Sequence, residues 1–148
     1  MTRQDCTTEI SQQCFAWQSK LQNLYLSVLA VSCMEVQQAA EKLLKLSPSV
    51  RVVTICDMNG KVLFSERSSR VKMLLSKQES KMSLQNAARG WKVRKKLEKK
   101  LGACKYVLAE YGSVKRITMP AGPNHLLFIT TTSSFDHKKV VNRVRTFR

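Results

Sequence analysis

Ile55–Phe64 reads I-C-D-M-N-G-K-V-L-F: an apolar run, a polar turn ending in Asn59-Gly60, and a second apolar run. Asn-Gly between hydrophobic runs is a strong hairpin signal, because both residues tolerate the positive φ that tight turns require. The arms extend this reading to Val50–Cys56 and Lys61–Ser65, both rich in β-branched and aromatic residues. Period-2 patterning predicts that Val53 and Ile55 share one sheet face and Val52 and Thr54 the other. It also leads to the expectation that Phe64 and Phe128 reach a common core. Asp57 is read as the turn residue that caps its own loop.

Upstream, Thr8–Leu46 holds neither Gly nor Pro and is helical in period. Cys14, Trp17, Leu21, Leu24, Val28 and Val31 form one apolar seam, and Val36, Ala40 and Leu43 form a second. A single straight helix of that length would run roughly 58 Å, too long for a compact domain, so a break is expected near Ser32–Glu35. Residues 1–33 are accordingly an N-terminal helical extension and residues 34–148 the main α+β domain.

Downstream, Ser76 and Glu79 have capping-box spacing and predict a helix that stops at Gly102. On it, Leu84, Ala87, Ala88 and Trp91 share one face, with Trp91 read as core. Met82, Val93, Leu97 and Leu101 lie nearly opposite, and Gly90 sits at the changeover. Three outcomes fit: a kink, burial on two sides, or contact with another subunit. Strands are expected at Lys105–Gly112, at Val114–Met119 and at His125–Thr132, the last central. Tyr106 and Tyr111 have opposite strand parity, so at most one faces outward. A final helix follows Asp136. The element order predicts a five-stranded antiparallel sheet flanked by helices, helix-strand-strand-helix-strand-strand-strand-helix, with an extra N-terminal helix.

Charge is the strongest compositional signal. The 148 residues carry a formal net charge of +16, and residues 1–50 contribute none of it. The cluster Arg89, Lys92, Arg94, Lys95, Lys96, Lys99 and Lys100 places seven cations in twelve residues, offset only by Glu98. It is a candidate polyanion-binding surface that would act through phosphates without reading bases. Trp17, Leu21, Leu24, Val28, Leu97 and Leu101 are the candidate dimer interface, because they leave more apolar surface than one small sheet covers.

Catalysis has little support. The six acids after residue 50 (Asp57, Glu66, Glu79, Glu98, Glu110 and Asp136) show no spacing that pairs two for acid–base work. Phosphate-binding glycine loops and nucleophile elbows are missing from the sequence. Cys6, Cys14, Cys33, Cys56 and Cys104 are scattered, with only His125 and His137 to join them, so neither a metal site nor a cofactor is expected. Buried, reduced thiols are the expectation. The longest apolar stretch, Leu24–Met34, is broken by Ser27 and Ser32, and the start lacks the apolar segment of a signal peptide. A cytoplasmic location is expected.

The order of elements and the phrases V-V-T-I-C-D-M-N-G-K-V-L-F-S, Y-V-L-A-E-Y and K-R-I-T-M-P resemble the roadblock/dynein light chain superfamily, within the profilin-like and longin-like folds. Small archaeal proteins of uncharacterised role resemble it most. The resemblance covers about residues 34–148. It implies a non-enzymatic module that homodimerises and binds protein partners, small GTPases among them, or serves as an assembly platform. Two alternatives stand beside it. One is a sequence-independent nucleic-acid-binding protein acting through the basic helix. The other is a small-molecule sensor of the PAS or Cache type, which shares the D-x-x-G-x-V hairpin.

Overall fold

The computed structural model describes residues 33–146. The elements run α1 (Cys33–Leu44), β1 (Val50–Asp57), β2 (Val62–Arg67), α2 (Lys77–Leu101), β3 (Val107–Glu110), β4 (Val114–Pro120), β5 (His125–Thr132) and α3 (His137–Arg145). This is the expected α+β order with a five-stranded antiparallel sheet, spatially β2-β1-β5-β4-β3. The extra N-terminal helix, Phe147, and the candidate interface residues Trp17, Leu21, Leu24 and Val28 lie outside the described residues.

The opening hairpin closes over Met58, Asn59 and Gly60. The Asp57 N–H donates to the Lys61 carbonyl at 3.0 Å and the Gly60 N–H to the Asp57 carbonyl at 3.1 Å. Gly60 has φ +83°, the left-handed region that favours glycine. Asp57 Oδ1 accepts from the N–H of Asn59 at 2.8 Å and of Lys61 at 2.9 Å, the loop-capping role read from sequence.

β5 is the middle strand, as expected, and its pairing to β1 divides the core in two. Partners across antiparallel strands share a face. Val53 opposite Ile129 and Ile55 opposite Leu127, with Ile117 and Met119 beyond them on β4, point to α1 and α3. There they meet Ala40, Leu43, Val140, Val141 and Val144. On the other face, Cys56, Leu126 and Phe128 meet Leu84, Ala88 and Trp91 of α2. Trp91 is buried, as read from sequence.

One expectation fails. Phe64 pairs with Ile55 and packs toward α1 and α3, whereas Phe128 pairs with Thr54 and packs under α2. The two rings therefore lie on opposite sides of the sheet. The hairpin alone fixes parity between β1 and β2. Parity relative to β5 depends on a long-range register that sequence spacing does not carry.

α2 begins with the capping box. Ser76 Oγ accepts from the Glu79 N–H at 3.2 Å, and Glu79 Oε2 accepts from the Ser76 N–H at 2.8 Å. These bonds hold the Glu79 carboxyl below the usual carboxylate range. The helix continues through Gly90 to Leu101, where Gly102 (φ +81°) ends it. α3 is capped by Asp136, whose Oδ1 accepts from the Lys138 N–H at 3.0 Å.

Gly60 and Gly90 respond oppositely to an added methyl group. At Gly60 a Cβ would stand 2.8 Å from both the Cα and the N of Gln85 on α2, so backbone meets backbone. At Gly90 it would meet only the Arg94 guanidinium, the tip of a flexible side chain. Gly60→Ala is expected to destabilise by about 2 kcal/mol or more, from positive φ plus the clash. Gly90→Ala is expected to stabilise by about 0.5–1 kcal/mol, the ordinary helix-interior difference. Urea unfolding of the two variants tests both signs.

Candidate interaction surface

α2 spans about 37 Å at 1.5 Å per residue, yet its buried residues, Leu84, Ala88 and Trp91, occupy only its middle. Beyond Trp91, every residue through Leu101 is exposed except the half-buried Glu98. This projecting arm of ten residues carries most of the candidate groups named from sequence. Of the three outcomes open at Gly90, burial on two sides by the described residues is excluded. Val93, Leu97 and Leu101 are uncovered by the described residues, at 57%, 44% and 79% exposure.

The two candidate sets share the helix and adjoin one another. At 100° per residue, Val93, Leu97 and Leu101 form one row; Arg89 and Lys100 lie within about 40° of Val93, and Lys96 and Lys99 stand further round the helix. Neighbouring contacts orient the helix. Lys92 Nζ donates to Asn59 Oδ1 at 2.8 Å, so that flank leans over the β1–β2 turn. Ser83 Oγ receives a hydrogen bond from Arg116 Nη1 on β4, which places the opposite flank toward β4. Lys95 Nζ donates to the Pro123 carbonyl at 2.8 Å, tying the arm to the β4–β5 turn.

Lys92 and Lys95 are thus committed to structural oxygens. Arg89, Arg94, Lys96, Lys99 and Lys100 present their charges to solvent. A cationic row of this kind attracts phosphate-rich or acidic partners, and its apolar neighbour can be buried only by something outside the described residues. The sequence reading found both sets. It did not distinguish the tied lysines from the displayed ones, because their acceptors, Asn59 and Pro123, lie about thirty residues away.

Elsewhere no group of His, Cys, Asp and Glu among the described residues is arranged to hold a metal ion. The salt bridge from Lys115 to Glu110, at 3.6 Å with an exposed carboxylate, contributes little. His137 lies against Tyr106, ring centroids 5.9 Å apart, while Tyr111 faces solvent, so one tyrosine of the two is outward. Cys56 is buried beneath α2. Burial, with a smaller push from the Asp57 charge, raises its thiol to about 12. That is the opposite of an activated nucleophile. No described helix is long and apolar enough to cross a membrane.

No protein-family profile matches the chain, and no curated protein matches it in sequence. Solved structures do match. The gliding protein MglB of Thermus thermophilus superposes with a TM-score of 0.65 at 14% identity, covering 84% of this chain and 91% of that one. MglB of Myxococcus xanthus gives 0.61 at 14% identity, covering 78% and 90%. A Roadblock/LC7 domain of Streptomyces avermitilis gives 0.59 at 12% identity, covering 74% and 88%. At these identities the likeness is one of fold, and the fold is that of Roadblock/LC7 domains. The archaeal group that the sequence resembles is not among these three.

The Cys56 thiol has a measurable consequence. Its folded-state pKa lies above the ordinary value of 9.0. Its contribution is therefore fully present below pH 9 and is lost as pH rises from 9 toward 12, because only the unfolded chain ionises there. Relative to Cys56→Ala, the wild-type chain is expected to lose about 1.4 kcal/mol of stability per pH unit across that window. Urea unfolding of the pair at pH 8 to 11 measures it.

Proposed function

We propose that the chain is a non-enzymatic regulatory module that homodimerises and binds protein partners. The observation that carries this reading is the row Val93, Leu97 and Leu101 on the projecting half of α2. Large aliphatic side chains at helical spacing, beyond the reach of their own sheet, lose free energy in water that a second copy would recover. β3 supports the same reading: it is an edge strand only four residues long, and its outer side has no strand partner among the described residues. A twofold arrangement is the simplest closed solution. The Roadblock/LC7 likeness agrees with an interaction module, and one MglB structure is described as a tetrameric arrangement of that protein. The partner class implied by the sequence resemblance is a small GTPase, and the compartment expected from the sequence is the cytoplasm.

Sedimentation velocity at micromolar concentration is expected to show a dimer. Leu97→Asp with Leu101→Asp is expected to weaken it at least a hundredfold, since two leucines at about 1.5 kcal/mol or more each are withdrawn from the interface. Both side chains are exposed in the single chain, so the variant keeps its fold. A monomeric wild-type protein overturns the reading.

The displayed cations favour a second reading, sequence-independent binding of nucleic acid through phosphates. With about four contacts, log affinity for duplex DNA falls with log salt at a slope near −3.6. Replacing Arg89, Lys96, Lys99 and Lys100 with Gln is expected to flatten that slope and weaken all sequences alike. Undetectable binding at physiological salt, or binding that survives the four changes, removes this reading. A pull-down with and without nuclease separates the two: protein partners survive the treatment and nucleic-acid-bridged ones do not.

A further inference from the structure

The connection from β2 to α2, Ser68–Ser76, reads S-S-R-V-K-M-L-L-S. Its backbone is held at several points. The Ser68 N–H donates to the Arg51 carbonyl at 2.9 Å, and the Val71 N–H to the Ser68 carbonyl at 3.0 Å. Arg51 Nη2 donates to the Lys72 carbonyl at 3.1 Å, and the capping box closes the far end. A segment so anchored still turns three consecutive apolar side chains outward: Met73 at 44%, Leu74 at 61% and Leu75 at 40% exposure.

The charges around this tip are predominantly positive. Arg70, Lys72, Lys77 and Lys81 are all exposed. Lys77, Lys81 and the exposed Met82 line an open depression together with Gln78 and Gln85. The one carboxylate in residues 68–85 is Glu79, and it is occupied by the Ser76 N–H. Four basic residues against one carboxylate leave residues 68–85 at a formal charge of +3.

We propose that this loop is a peripheral docking tip for an anionic lipid bilayer. Met73, Leu74 and Leu75 enter the boundary between headgroups and acyl chains, and Arg70, Lys72, Lys77 and Lys81 meet the lipid phosphates. The arrangement matches that surface layer by layer, apolar below and anionic above. Long cationic side chains at the collar reach the phosphates while their methylene stems stay among the acyl chains. A protein interface fits less well, because lysine is depleted from interface cores. Nucleic acid takes up an apolar side chain only by unstacking base steps, a cost that a headgroup–acyl boundary does not impose. The inference does not depend on dimerisation: the tip precedes α2, whereas Leu97 and Leu101 lie at its other end.

The experiment is co-sedimentation of the full chain with phosphatidylcholine vesicles, with and without about one-third phosphatidylglycerol. Binding is expected only to the anionic vesicles. Leu74→Ser with Leu75→Ser is expected to lower partitioning at least tenfold. Lys72→Gln with Lys77→Gln is expected to lower it about 25-fold, roughly fivefold per basic residue. All four positions are exposed, so unchanged thermal unfolding identifies folded variants. No binding to anionic vesicles at low salt overturns the proposal. So does binding that the leucine pair leaves unchanged, which would mark simple charge attraction. A third overturning result is a leucine-pair variant that changes oligomeric state without lipid, which would make the tip a contact between copies. Loss of vesicle binding with an intact dimer, or the converse, separates this proposal from the reading of the α2 arm.

Discussion

Everything in this domain depends on β1 lying beside β5. Residues 50–57 pair with residues 125–131, between 68 and 81 positions along the chain, and β5 in turn carries β4 and β3. Without that pairing the N-terminal hairpin is an isolated two-stranded ribbon, which is marginal in water. With it, a single sheet has two apolar faces to cover. Loop closure over such a span costs conformational entropy before any contact rewards it. The reward is the burial of Val53, Ile55, Ile117, Met119, Leu127 and Ile129 against α1 and α3. Removing one such side chain costs about 2–5 kcal/mol, a large share of a small domain's stability.

The second face is governed by the close approach of α2 to the β1–β2 turn. Gly60 touches the backbone of Gln85, Lys92 reaches Asn59, and Arg116 reaches Ser83. These contacts set the rotation of the helix, and the rotation decides which residues are left over. Leu84, Ala88 and Trp91 are taken by the sheet, so Val93, Leu97 and Leu101 cannot be. The exposed apolar row on α2 is thus a by-product of the packing geometry: the helix runs on past the residues that the sheet buries. The same helix carries cations beside that row, with Arg89 and Lys100 adjoining Val93, so apolar and phosphate-directed contacts would share one side of it.

The Asp57 loop shows how local order supports the long-range one. Its carboxylate satisfies two backbone N–H groups and holds the turn in the shape that presents Gly60 to α2. A residue that could suggest chemistry in an acid-poor sequence is thereby consumed by structure. Cys56 beside it is likewise withdrawn from reactivity, since its thiol lies in the apolar layer beneath the helix.

Much of this was legible in the sequence. Turn chemistry, capping residues and hydrophobic period are properties of neighbouring residues. That is why the hairpin, the Ser76–Glu79 helix start, the Gly102 stop, the five strands and the burial of Trp91 could be read directly. The clusters on α2 were legible too, because helical spacing groups residues within a few turns. What tertiary structure alone decided was parity and commitment. Phe64 and Phe128 part to opposite faces because the β1–β5 register is chosen by how whole faces fit, not by either strand. Gly60 is irreplaceable, rather than merely convenient for a turn, because a helix backbone stands against it. Lys92 and Lys95 are tied while Lys96, Lys99 and Lys100 are displayed, because their acceptors arrive from distant loops. Sequence period assigns a residue to a face, but only the packed partners determine whether that face is covered.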